Sequence, residues 1–74
     1  MKNKIIEKNK TIESVIEMLG GTQKSAAEAI GVSQPSVMRW LHGRCGPDAR
    51  AAIQIEKVTG GKVTRAQLRP DIFG

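Results

Sequence analysis

Apolar residues recur along this chain at helical rather than strand spacing, in short stretches separated by glycines. Ile12, Val15, Ile16 and Leu19 fall at i, i+3, i+4 and i+7, with Thr11 as the expected cap and Gly20-Gly21 as the stop. Thr22 can cap a second helix in which Ala26, Ala27 and Ile30 form a small apolar face. Gly31 then stands where a left-handed residue is needed, and Val32 folds back over the last turn. Ser33 caps a third helix, Pro35 is tolerable only in its first turn, and Val37, Trp40 and Leu41 supply its inward face. A fourth helix is expected to open with Pro47 as its first residue and Asp48 in its first turn. It carries Ala52, Ile55 and Val58 on one side and Ala49 and Ile53 on the other, and the pattern alone does not say which side is core. After Gly60-Gly61, Thr64 to Gln67 has the form of a capping box opening a last short turn that Pro70 ends, with Leu68, Ile72 and Phe73 as its apolar content. No strand alternation is present. The expectation is an all-α, single five-helix domain over residues 11–74, preceded by a flexible basic arm at residues 1–10.

The surface of the third helix carries the chemistry. Gln34, Pro35, Met38, Arg39 and His42 lie at i, i+1, i+4, i+5 and i+8, one continuous strip holding an amide, a thioether, a guanidinium and an imidazole. Two short helices joined by a glycine-initiated turn, the second with such a strip, form a helix-turn-helix pattern. An ordinary helical hairpin would explain the apolar spacing, but it does not require the Gly31 turn, the Ser33 cap and the basic strip together.

Composition sharpens this reading. A chain of 74 residues has room for one domain with a thin margin of stability, which self-association would widen. Twelve Lys and Arg against seven Asp and Glu give a net charge of +5, suited to a polyanion. Four of the lysines fall in residues 1–10, where an arm beside a DNA-reading motif can add phosphate or minor-groove contacts, or be no more than a solvated tail. The lone Cys45 fits a reducing cytoplasm, and the apolar runs are too short for a signal peptide or a membrane span. His42 and Cys45 lack the further ligands a zinc site needs, and no acid–base pair or nucleophile stands out. Neither enzyme activity nor a cofactor is expected.

Residues 11–74 resemble the Cro-like, YdaS-type repressors and antitoxins of phages and prophages. The resemblance is carried by Leu19-Gly20-Gly21, the VMRWL segment at Val37 to Leu41, TGGKVT at Thr59 to Thr64 and LRPDIF at Leu68 to Phe73. It implies a Cro/phage-repressor fold and sequence-specific operator binding and repression, often as a dimer. On that footing the third helix is expected in the major groove, with Gln34 pairing with adenine, Arg39 with guanine, and Pro35 or Met38 covering a thymine methyl. Thr22, Gln23, Lys24, Ser36, His42 and Arg44 are the expected DNA-backbone contacts. Ile72 and Phe73 are the candidates for a homodimer interface, or else a lid on their own domain. The competing function is an antitoxin that neutralises a toxin partner by direct protein–protein binding, for which the ten arm residues are the only spare segment.

Overall fold

In a computed structural model, residues 9–74 are described, and among them the regular structure is entirely helical: α1 (Lys10–Met18), α2 (Gln23–Ile30), α3 (Gln34–Leu41), α4 (Ala49–Val58), α5 (Arg65–Leu68) and α6 (Pro70–Phe73). The expected count was five. The sixth helix exists because Pro70, which ends α5, has a fixed φ that suits a helix's first turn, so the chain turns back into helix at once.

α1 begins earlier than expected. Its cap is Asn9 and not Thr11: the Ile12 N–H donates to Asn9 Oδ1 at 3.1 Å, leaving Thr11 inside the helix. Both are polar residues just ahead of the apolar pattern, and the pattern alone does not separate them. Asn9 and Lys10 therefore belong to the domain; the rest of the predicted arm, residues 1–8, lies outside the described residues. The Asn9 N–H also donates to the Leu41 carbonyl at 2.8 Å, which ties the start of α1 to the end of α3.

The core forms where the apolar faces of four helices meet. Ile12, Val15 and Ile16 of α1 pack with Ala26, Ala27 and Ile30 of α2, Val37, Trp40 and Leu41 of α3, and Ala51 and Ile55 of α4. Ala52 is also fully buried, and Ile53 is exposed, so the Ala52/Ile55 side of α4 is the inward one. The start of α4 differs from the expectation as well. Asp48 is its cap, with Oδ1 accepting the Ala51 N–H at 2.8 Å, and Pro47 lies outside the helix with its ring buried. A carboxylate that can close the first turn outcompetes a proline at the first position, because it satisfies an N–H that the proline leaves open.

The Thr59 to Thr64 turn is organised by one hydroxyl. Thr59 Oγ1 donates to the Ile55 carbonyl at 2.8 Å and accepts the Val63 N–H at 3.3 Å, with Thr59 and Val63 both buried. Thr59→Val keeps the shape but leaves the Val63 N–H without a partner. It should cost about 1–3 kcal/mol in denaturant unfolding, whereas Thr59→Ser should stay close to wild type. Beyond the turn, Thr64 and Gln67 close the expected capping box reciprocally. Glu56 accepts both the Arg65 N–H at 2.9 Å and Arg65 Nε at 2.8 Å, tying α5 to α4; these bonds hold its carboxyl below the usual range.

Candidate nucleic-acid interface

The turn between α2 and α3 is built as the residues require. Gly31 adopts φ 87°, its N–H bonds the Ala27 carbonyl at 2.8 Å, and the Val32 N–H bonds the same oxygen at 3.0 Å. No atom obstructs a Cβ at Gly31, so the requirement there is backbone conformation alone. Gly20 is constrained differently: a Cβ would stand 2.5 Å from Ser25 Oγ. That hydroxyl completes a capping box with Thr22, where the sequence pattern predicts a single cap. Thr22 Oγ1 accepts the Ser25 N–H at 3.0 Å, and Ser25 Oγ accepts the Thr22 N–H at 3.3 Å. A serine in place of the usual Glu or Gln at the third position hid the motif.

α3 is two-faced. Val37, Trp40 and Leu41 are buried, while Gln34, Pro35, Met38 and Arg39 are all exposed on the opposite side, so the four expected base-contacting residues do share one open surface. Met38 is 45% exposed and stands outside the core cluster. The helix contains no acidic residue, and Arg39 makes no ion pair among the described residues.

The expected backbone-contacting residues divide into two groups. Lys24 is exposed on the first turn of α2, His42 is exposed as the C-cap of α3, and exposed Arg44 follows, its N–H bonded to the Arg39 carbonyl at 3.0 Å. Three others are partly committed within the protein. Thr22 closes its capping box, and half-buried Ser36 shares a 2.9 Å hydroxyl–hydroxyl bond with Ser33. Gln23 is half-buried in a shallow groove with Glu13, Glu17 and Leu41. Acidic side chains thus stand beside the start of α2.

Ile72 is 49% exposed and Phe73 half-buried, its ring 5.5 Å from the Arg65 guanidinium carbon. Arg65 in turn shares a groove with Ile53 and Glu56. Cys45 is exposed, and among the described residues no three His, Cys, Asp or Glu side chains converge as metal ligands. No helix among them is long and apolar enough to cross a membrane.

A core shared by the first four helices, with an acid-free outward face on the third, defines a helix-turn-helix domain of the Cro type. The solved Cro protein from the inferred prophage element Xfaso 1 in Xylella fastidiosa strain Ann-1 is similar to it with a TM-score of 0.75 and 38% identity, over 86% of this chain and 95% of that one. The chain belongs to the YdaS family: the family profile described as Bacterial toxin YdaS matches residues 12–74. It is 36% identical over 66 residues to the inferred transcriptional regulator YdaS of Escherichia coli strain K12, a match covering 89% of this chain and 66% of that protein, so about a third of the relative has no counterpart in it.

Proposed function

We propose that the chain is a DNA-binding transcriptional regulator that inserts α3 into the major groove of an operator and represses from it as one half of a symmetric dimer. The observation that carries this reading is the single exposed surface formed by Gln34, Pro35, Met38 and Arg39 on a helix whose other side is anchored in the core. Gln34 and Arg39 are assigned to adenine and guanine and Pro35 or Met38 to a thymine methyl. Lys24, His42 and Arg44 are assigned to phosphates, joined by Thr22, Gln23 and Ser36 near the helix starts. The root of the basic arm, Asn9, is hydrogen-bonded to the last residue of α3, which supports a role for the preceding lysines on the DNA beside that helix. The names carried by the relatives, a transcriptional regulator and a Cro protein, agree with this reading. The family's description as a toxin keeps direct protein–protein binding as the competing reading. Selection from a random pool of duplexes is the test. It should return a two-fold symmetric consensus with half-sites about one helical turn apart; a pool recovered without sequence preference would contradict the proposal and favour direct binding to a toxin partner.

The dimer is assigned to the outward side of α4 with α6. Exposed Ile53 shares its groove with Arg65, and Arg65 covers the Phe73 ring, so these residues form one neighbourhood with Ile72 at its edge. Phe73→Ala should raise the dimer dissociation constant and weaken operator binding, with helicity and monomer melting little changed, as read by analytical ultracentrifugation and circular dichroism. Loss of cooperative unfolding at monomeric concentrations would instead make Phe73 a lid on its own core.

A further inference from the structure

The Leu68 to Phe73 segment identifies the family resemblance, and the structure assigns it a task that reaches across the molecule. Arg69 spreads its guanidinium between two partners. Nε and Nη2 donate to the two oxygens of Asp71 at 2.9 and 2.6 Å, while Nη1 donates to the Pro47 carbonyl at 3.0 Å, 22 residues away in sequence. Pro47 belongs to the stretch that links α3 to α4, and that stretch is short of internal support. Its last backbone bond on the α3 side is the Arg44 N–H to the Arg39 carbonyl; the next is the Asp48 carbonyl accepting the Ala52 N–H. Between them the chain is held by the buried Pro47 ring and by Arg69, whose Cδ also lies 3.7 Å from the position a Cβ would take on Gly46.

We propose that Arg69 and Asp71 form a positioning clamp: Asp71 fixes the guanidinium plane, Arg69 fixes the Pro47 carbonyl, and the link so held presents Arg44 to a DNA phosphate at the end of α3. The proposal rests on the DNA-binding reading for the role of Arg44, but not for the clamp itself. A planar guanidinium suits this task because it can meet a carboxylate with two parallel bonds and still have an N–H for a third acceptor, which an ammonium cannot do in fixed geometry. The bond from Arg69 holds the Asp71 carboxyl below the usual range, so the pair is charged at neutral pH. Since α6 carries the residues assigned to the dimer interface, the same clamp connects that interface to the DNA-facing link.

Charge gives the proposal a test with opposite signs. Asp71→Asn removes a negative charge, so electrostatics alone would tighten DNA binding. The clamp predicts weaker binding to a selected duplex, by about three- to tenfold, the scale of one ordinary hydrogen bond. The salt slope should fall by about 0.9, the loss of one phosphate contact, matching Arg44→Ala. In the double variant Asp71→Asn/Arg44→Ala, binding should be no weaker than in Arg44→Ala alone, a silence that general loosening of the fold would not produce. Arg69→Lys, which keeps the charge, should bind like Asp71→Asn. Tighter binding by Asp71→Asn, additive losses in the double variant, or wild-type binding by Arg69→Lys would each overturn the proposal. Nuclear magnetic resonance relaxation of the free chain separates its failure from that of the DNA reading: the backbone order parameters of Cys45 and Gly46 should fall in Asp71→Asn while those of α4 stay as in the wild type. Unchanged order parameters there would overturn the clamp; lowered order parameters with an inert Arg44→Ala would leave the clamp standing and remove Arg44 from the DNA interface.

Discussion

Trp40→Ala should lower stability by about 3–5 kcal/mol, the usual cost of truncating a buried aromatic, with little collapse around the cavity. Trp40 is 5% exposed, belongs to the core cluster, and is the largest of the three buried side chains by which α3 is anchored, with Val37 and Leu41. A chain of 74 residues has about 4–11 kcal/mol of folding free energy in all, so the substitution should remove a large share of it and lower the unfolding midpoint steeply. Urea unfolding followed by far-ultraviolet circular dichroism measures it. Two residues earlier on the same helix, Met38 is 45% exposed, and Met38→Ala should leave the midpoint nearly unchanged. If the two variants unfolded alike, the inward and outward faces of α3 would be wrongly assigned.

Arg39→Ala should cost about 1–3 kcal/mol on the preferred operator and flatten the preference at one base pair. The guanidinium is exposed, carries no ion pair among the described residues, and projects from the turn of α3 that precedes its C-cap. Removing it therefore deletes a readout without exposing core. Lys24→Ala should behave differently. Its charge stands on the first turn of α2 and not on α3, and its loss should weaken binding to all sequences alike while lowering the salt slope by about 0.9. Binding measured across a panel of single-base operator variants at several salt concentrations distinguishes the two. Indistinguishable behaviour would break the division between base-reading and phosphate-contacting residues.

What was legible in the sequence were the features set by local chemistry. The Gly31 turn, the Ser33 cap, the Thr64–Gln67 box and the inward faces of α1 to α3 each depend on residues within one helical turn of one another, and each stands in the structure as the pattern implied. The misplacements arose where two local solutions competed. Asn9 and Thr11 could both cap α1, and Pro47 and Asp48 could both open α4; the choice depended on which side chain reached a free N–H. The inward side of α4 was ambiguous because Ala49 and Ile53 mimic a second apolar stripe, and only the packing against α2 shows that Ile53 is outside. Contacts over long separations were beyond reach. The Asn9 to Leu41 bond and the Arg69 to Pro47 bond join residues 32 and 22 positions apart, and no periodicity encodes them. Of the candidate site, the exposure of Gln34, Pro35, Met38 and Arg39 follows from helical phase alone. The half-burial of Gln23 does not, because it depends on how α1 packs beside α2, whereas the bonds of Thr22 and Ser36 are local ones at i, i+3.

The most direct test of the central claim is a nuclear magnetic resonance titration of the isotope-labelled chain with a duplex recovered by selection, set against a scrambled duplex of the same length. The account predicts that the selected duplex produces large, saturable shifts at Gln34 to Arg44 and at the first turn of α2, with the outward face of α3 most affected, and that the scrambled duplex produces smaller shifts abolished by moderate salt. Equal shifts with both duplexes, or shifts centred on α4 to α6 while α3 stays unmoved, would contradict it.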